Sequence, residues 1–144
     1  MKTCTERCTL MTERVVQLLR ITGTVREAAA RSGIRRGMGT VLSLHTTTGV
    51  TVNEGLECLE SDMEELLERL APEDHPYAHA RMLHAYGSTA GNAAGHLKSL
   101  LAGNHAHFVV EDGEVLLGAA QEVYFCEFDG PACRTFLVCL QGEA

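Results

Sequence analysis

Leu56, Leu59, Met63, Leu66, Leu67 and Leu70 recur at helical spacing, with Glu57, Glu60, Asp62, Glu64, Glu65 and Glu68 between them. That pattern predicts a helix over 56–70 with one apolar stripe and one acidic, solvated face, ending before Pro72. A second helix is expected from Asn92 through Leu101, closed by Gly103. A third, short one runs from a Thr22 or Thr24 cap through Glu27 and Ala28–Ala30 to Gly33. The remaining periodic segments read as strands: 3–10, 14–22, 40–46, 50–52, 106–111, a long one over 114–128 and a last one over 133–141. Arg35–Gly39, Asp112-Gly113 and Asp129-Gly130-Pro131 read as turns, and 73–91 as irregular. Strands clustered around a few helices, without βα alternation, predict an α+β fold with an antiparallel, sandwich-like core and the helices on one side.

The chain has 144 residues, 45% hydrophobic and 22% charged, which suits one globular domain over 1–144 and excludes a disordered or fibrous chain. Twelve basic against nineteen acidic residues give a net charge of −7. That leaves no basic face for duplex nucleic acid, and with no Trp and 5% aromatics there is little to stack single strands on. Met1–Thr12 alternates polar and apolar residues and carries Lys2, Glu6 and Arg7, so no secretory leader is expected. No apolar run reaches the ~18 residues of a membrane span. A cytoplasmic protein without a membrane or nucleic-acid partner is the expectation. The six cysteines form no C-x-x-C pair and are expected as small buried hydrophobes rather than disulfides or a thiolate zinc site.

Seven histidines is an enrichment, and their positions matter more than the count. His45 ends a strand directly before Thr46-Thr47-Thr48-Gly49; His75, His79 and His84 lie in the irregular segment; His96 is helical; His105 and His107 bracket a strand start. Neutral imidazole is the commonest metal ligand, and catalytic sites gather about three protein ligands with one position open. By spacing alone, the histidines stay open between metal ligands and hydrogen-bonded structural groups. Thr46, Thr47 and Thr48 offer hydroxyls beside the Gly49 turn, which suits an anionic oxygen such as phosphate, although Thr is also an ordinary strand residue. Asn92 opens a helix whose free N–H groups could hold a second anion. Neither a P-loop nor a dinucleotide or nucleophile-elbow motif occurs.

His45-Thr-Thr-Thr-Gly-Val-Thr-Val-Asn-Glu54 resembles the H-T-[ST]-x-[GS]-[LI]-T-[IL]-N-E motif of the YjbQ-like family, often called secondary thiamine-phosphate synthase. Tyr77-x-His79 and Asn92-Ala-Ala-Gly-His96-Leu-Lys-Ser99 are similar to two further motifs of that family. So are Gly118-x-x-Gln121, Glu127, Gly130-Pro131 with Arg134, and the ending Gln141-Gly142-Glu143. The resemblance implies a homotrimer of α+β subunits with pockets at or near the subunit boundaries. It further implies a divalent metal on His45, His79 and His96, zinc for an all-nitrogen set or magnesium beside a pyrophosphate. Glu54 and Glu127 are then the expected catalytic carboxylates, with Thr46, Thr47, Asn53, Asn92, Gln121 and Arg134 around a small phosphorylated molecule. The implied reaction is a transfer that joins a pyrimidine pyrophosphate to a thiazole phosphate; the alternative is a non-catalytic trimeric module for a small anionic metabolite or metal. Ala120 replaces the family's Trp, His105 stands where a small hydroxyl residue is usual, and the stretch between His79 and His96 is longer. These departures bear on substrate identity rather than fold. The strand 133–140 carries a continuous apolar run that expects burial on both faces, as a closed ring of subunits would provide.

Overall fold

Alternation along the strands fixes which side chains meet. A computed structural model describes residues 1–81 and 91–144. The order is β1 (Lys2–Met11), β2 (Gln17–Arg20), α1 (Thr22–Ser32), β3 (Arg36–Ser43), β4 (Thr48–Glu54), α2 (Glu57–Leu70) and α3 (Ala78–Arg81). Then follow α4 (Ala93–Ala102), β5 (His105–Glu111), β6 (Glu114–Leu116), β7 (Gln121–Glu127) and β8 (Cys133–Glu143). Two antiparallel sheets result, a five-stranded one ordered β1-β8-β3-β5-β6 and a three-stranded one ordered β2-β7-β4. Cys8, Val41, Phe108, Val110, Phe136 and Val138 of the larger sheet meet Val50, Val123 and Phe125 of the smaller one in the main core. The Phe125 and Phe136 rings lie 5.7 Å apart. Val25, Ala28 and Ala29 of α1 join the same core. On the far side of the small sheet, Tyr124, Cys126 and Phe128 pack with Leu67 of α2 and Ala102 of α4. The fold is α+β, with α2 and α4 on one side of the sandwich, as expected from the sequence.

Several elements differ from the sequence expectation. The strand expected over 114–128 breaks into β6 and β7, which belong to different sheets. Gln121 makes the break: its N–H donates to the Gly118 carbonyl, and its side-chain oxygen accepts the Gly118 N–H. Arg36–Gly39 is strand, not turn. A Cβ at Gly37 would meet the Gln141 backbone and one at Gly39 the Phe108 ring, so these glycines serve close packing. The strand expected over 40–46 ends at Ser43, and that over 14–22 shrinks to Gln17–Arg20. No threonine caps α1; the Thr22 hydroxyl instead bonds Glu122 and accepts the Val123 N–H, tying the helix start to β7. Along β8, Phe136, Val138 and Leu140 point inward, while Leu137 and Cys139 are half-buried on the outer face. That face also shows Met11, Met38, Val109 and Leu116, all exposed.

The acidic stripe of α2 is not simply solvated. Glu60, Glu64 and Glu68, four residues apart, bond Arg20, Arg14 and Lys98 respectively, and the Tyr124 hydroxyl donates to Glu60 at 2.6 Å. An i, i+4, i+8 row of carboxylates is turned onto the cations of the body. His84 lies outside the described residues.

Candidate functional site

The site grows from the loop between β3 and β4. The Ser43 and Thr48 hydroxyls bond one another across it, and the His45 N–H donates to the Ser43 oxygen at 3.3 Å. The register then places Thr48 opposite Glu127, the last residue of β7, and the Phe128 N–H donates to the Thr47 carbonyl at 3.0 Å. Glu127 is fully buried. Its carboxylate accepts from the Thr12 hydroxyl at 2.7 Å and from Arg134 Nε and Nη2 at 2.8 Å each. The Phe128 and Asp129 N–H groups complete the set. Burial alone would push this carboxyl up, but the bonds from Arg134, Thr12 and Asp129 outweigh it and hold it below its ordinary value. Arg134 Nη2 also donates to the Thr47 hydroxyl at 3.2 Å. The guanidinium charge is thus spent on Glu127.

His45 sits against this pair. Its Nε2 accepts the Thr135 N–H at 2.8 Å, which leaves the ring proton on Nδ1. Burial first, then the Arg134 charge, pushes its pKa below 6.5, with Glu127 opposing. Helix α4 packs onto the same loop. A Cβ at Gly95 would meet the Phe128 carbonyl, and the Ser99 hydroxyl donates to the Thr48 carbonyl at 2.5 Å. His96 Nδ1 donates to the Thr46 carbonyl at 3.1 Å, so Nε2 carries the lone pair. The His79 ring faces it with centroids 5.3 Å apart, and His79 Nδ1 is buried without a hydrogen-bond partner among the described residues. Asn92 donates to Asp129 at 3.0 Å and leaves its own side-chain oxygen buried and without a partner among the described residues. An open depression of about 400 Å³ is lined by Tyr77, Ala78, His79, Ala93, His96 and Leu97.

The expected ligand set is brought together in part. With metal–nitrogen bonds of ~2.0–2.1 Å, two imidazoles on one ion at right or tetrahedral angles have centroids roughly 4.5–5.2 Å apart. His79 and His96 approach that spacing. One has an orphaned nitrogen and the other a tautomer fixed by a carbonyl, so each ring keeps a nitrogen lone pair that a divalent ion could take. His45 neighbours the pair through Thr46, but its Nε2 is already committed to Thr135. No group of three His, Cys, Asp or Glu poised for a metal occurs among the described residues.

Three expected residues lie elsewhere. Asn53, Glu54 and Gln121 occupy the opposite end of the β4–β7 ladder, six residues on from Thr48, about 20 Å away at strand rise. Asn53 and Glu54 are exposed, Asn53 accepting the Glu54 N–H at 2.8 Å, and Gln121 holds the Gly118 turn.

Lys98 went unassigned in the sequence reading. It is fully buried, and its ammonium bonds Glu68 at 2.6 Å and Glu73 at 3.3 Å. These bonds tie the end of α2, and the chain leading to Tyr77 and His79, onto the helix of His96. Its place among the apolar positions of α4, between Leu97 and Leu100, was the available signal.

The family profile described as "UPF0047 protein YjbQ-like" matches residues 6–143. The chain belongs to the YjbQ/UPF0047 family. A UPF0047 protein of Methanothermobacter thermautotrophicus is 35% identical over 143 residues, 99% of this chain and 95% of that protein. One from Archaeoglobus fulgidus is 38% identical over 130 residues, covering 90% and 95%. Among solved structures, a YbjQ-like protein of unknown function from Sulfolobus solfataricus superposes with a TM-score of 0.91 at 25% identity, covering 99% of both chains. Membership of this family accounts for the motifs on β4, α4 and β7. No helix among the described residues is long and apolar enough to cross a membrane.

Proposed function

We propose that this chain is a metal-binding transferase of the thiamine-phosphate synthase type, joining a pyrimidine pyrophosphate to a thiazole phosphate with release of pyrophosphate, in the cytoplasm. The observation that carries the reading is the His79–His96 pair, with its orphaned and tautomer-fixed nitrogens above an open depression. A divalent ion there, zinc or magnesium, would neutralise charge gathering on the departing pyrophosphate. The chain's own groups bind and orient. Thr46 fixes His96 through its carbonyl, Asn92 offers an unpartnered side-chain oxygen, and the N–H groups opening α4 favour an anion. Glu127, held ionised by Arg134, is a positioning carboxylate: it keeps Arg134, Thr47 and the His45 loop in register rather than taking a proton.

The reading includes a homotrimer. The outer face of the large sheet, with Met11, Met38, Val109 and Leu116, is the surface a neighbouring subunit would cover. A neighbour would also bring its own Asn53, Glu54 and Gln121 to the histidine end, supplying the carboxylate that the protomer keeps about 20 Å away. Zinc- and magnesium-loaded protein incubated with the two substrates should release pyrophosphate, and Glu54→Gln should abolish release while metal content is retained. Light scattering should give about three times 15.6 kDa. A monomer mass would remove both the trimer and the shared site. The second reading is a non-catalytic trimeric module for a metal or small anion, favoured by the pairing of Arg134, the guanidinium at this end of the ladder, with Glu127. Retained metal with no turnover over a broad pyrophosphate and phosphate-ester panel would select it.

A further inference from the structure

His105 and His107 stand apart from the pocket and from every role given so far. They are alternate residues on β5, so both side chains leave the same outer face of the large sheet, and both are exposed. Their ring centroids are 5.0 Å apart, inside the roughly 4.5–5.2 Å that two imidazoles on one ion require. Each ring is oriented through Nδ1. His105 Nδ1 donates to the Asn104 side-chain oxygen at 2.8 Å, and His107 Nδ1 meets the Thr40 hydroxyl at 2.8 Å. The Asn104 oxygen can only accept, so the His105 proton sits on Nδ1 and its lone pair on Nε2. The Thr40 hydroxyl can accept or donate, and where it accepts from His107 Nδ1 it frees His107 Nε2 in the same way, as metal-binding histidines are usually held. The surroundings suit a cation. The cross-strand neighbours on β3 are Leu42 and Thr40, both uncharged, and β6 pairs with Val109–Glu111 rather than with the two histidines.

We propose that His105 and His107 form a surface chelate for a borderline transition-metal dication, distinct from the His79–His96 pocket, with Asn104 and Thr40 orienting the two rings. Two neutral imidazoles as the donors favour copper(II) over nickel(II) and zinc. Met38 and Val109 on the same face belong to the surface a neighbouring subunit would cover, so the remaining coordination positions fall to groups of that neighbour in a trimer and to water in a free protomer. The site is independent of the pocket reading.

The test uses the full chain with His79→Ala and His96→Ala introduced, so that the pocket pair cannot contribute. The exposed thiols are removed by Cys58→Ser and Cys133→Ser, because free thiols bind and reduce copper(II). Copper(II) titrated into this protein should bind with a stoichiometry near one, and its electron paramagnetic resonance spectrum should show coupling to two imidazole nitrogens. Adding His105→Ala or His107→Ala should weaken binding at least tenfold. Thr40→Val, which removes only the orienting hydroxyl, should weaken it by about tenfold. All three positions lie on the sheet surface rather than in the core, and unfolding curves would confirm that the variants remain native. Copper affinity and spectrum indifferent to the loss of both histidines, or no copper binding by the parent, would overturn the proposal.

Discussion

The two ends of the β4–β7 ladder were one motif in the sequence and are two environments in the fold. At the Thr48–Glu127 end, a carboxylate without solvent exposure has five donors, a guanidinium braced by Thr47, and two histidines across the loop. At the Glu54–Gln121 end, the polar side chains are exposed and make few bonds: Asn53 accepts the Glu54 N–H and reaches the Met63 sulfur, and Gln121 holds the Gly118 turn. The difference teaches that a run of motif residues on a strand is a ruler: at about 3.3 Å per residue, His45 and Glu54 cannot share a pocket within one subunit. A built site occupies one end, and the other end offers groups with nothing in the same chain to act on.

Breaking the buried end should have the largest effect. Arg134→Met leaves the Glu127 carboxylate buried without its cation, a loss expected at about 3–5 kcal/mol in urea unfolding. A loss below about 1 kcal/mol would mean that water reaches Glu127 and that the two ends are less different than they look. The pH dependence follows from the same pair. A carboxyl held below its ordinary 4.5 contributes stability that is fully present above that value and is lost as pH falls through its folded value. His45, lowered from 6.5, adds to this: the unfolded chain takes up its proton first, so stability declines as pH drops below about 6.5. His45→Gln should flatten the part of the unfolding profile between neutral pH and the carboxylate range; an unchanged slope there would show that His45 titrates normally.

Ser99→Ala removes the hydroxyl that docks α4 on the Thr48 carbonyl and should cost about 1 kcal/mol, with a further loss of metal affinity as His96 shifts. Unchanged affinity would separate the docking of α4 from the site. The smallest effect belongs to the open end. Glu54→Gln, exposed and in no ion pair among the described residues, should stay within about 0.5 kcal/mol of the parent. A large loss would reveal a buried partner that a subunit interface supplies.

Much of this was legible in the chain. The periodicity of α2 and α4, the inward and outward alternation of β5, and the Asp112-Gly113 turn each follow from local chemistry, and the fold class follows from their order. Orientation was harder to read. The Glu60, Glu64 and Glu68 row has the pattern of a solvated face, and only the tertiary placement of Arg20, Arg14 and Lys98 gives these partly exposed carboxylates their cations. The break at 117–120 carries no proline, and the Gln121 side chain that makes it acts through a bond no periodicity encodes. At the site, the family motifs pointed to Glu127, Arg134, His79 and His96. They did not indicate that Glu127 and Arg134 satisfy each other, or that His45 Nε2 is taken by the Thr135 N–H. Those facts depend on the register between strands far apart in sequence.

The account stands on the claim that His79 and His96 hold a divalent ion at the built end of the ladder. The direct measurement is the zinc content of the chain carrying His105→Ala and His107→Ala, after dialysis against a weak chelator, with and without His96→Ala. The expected result is about one zinc per chain, lost on replacing His96. No retained zinc in the parent, or the same zinc content after His96→Ala, would contradict it.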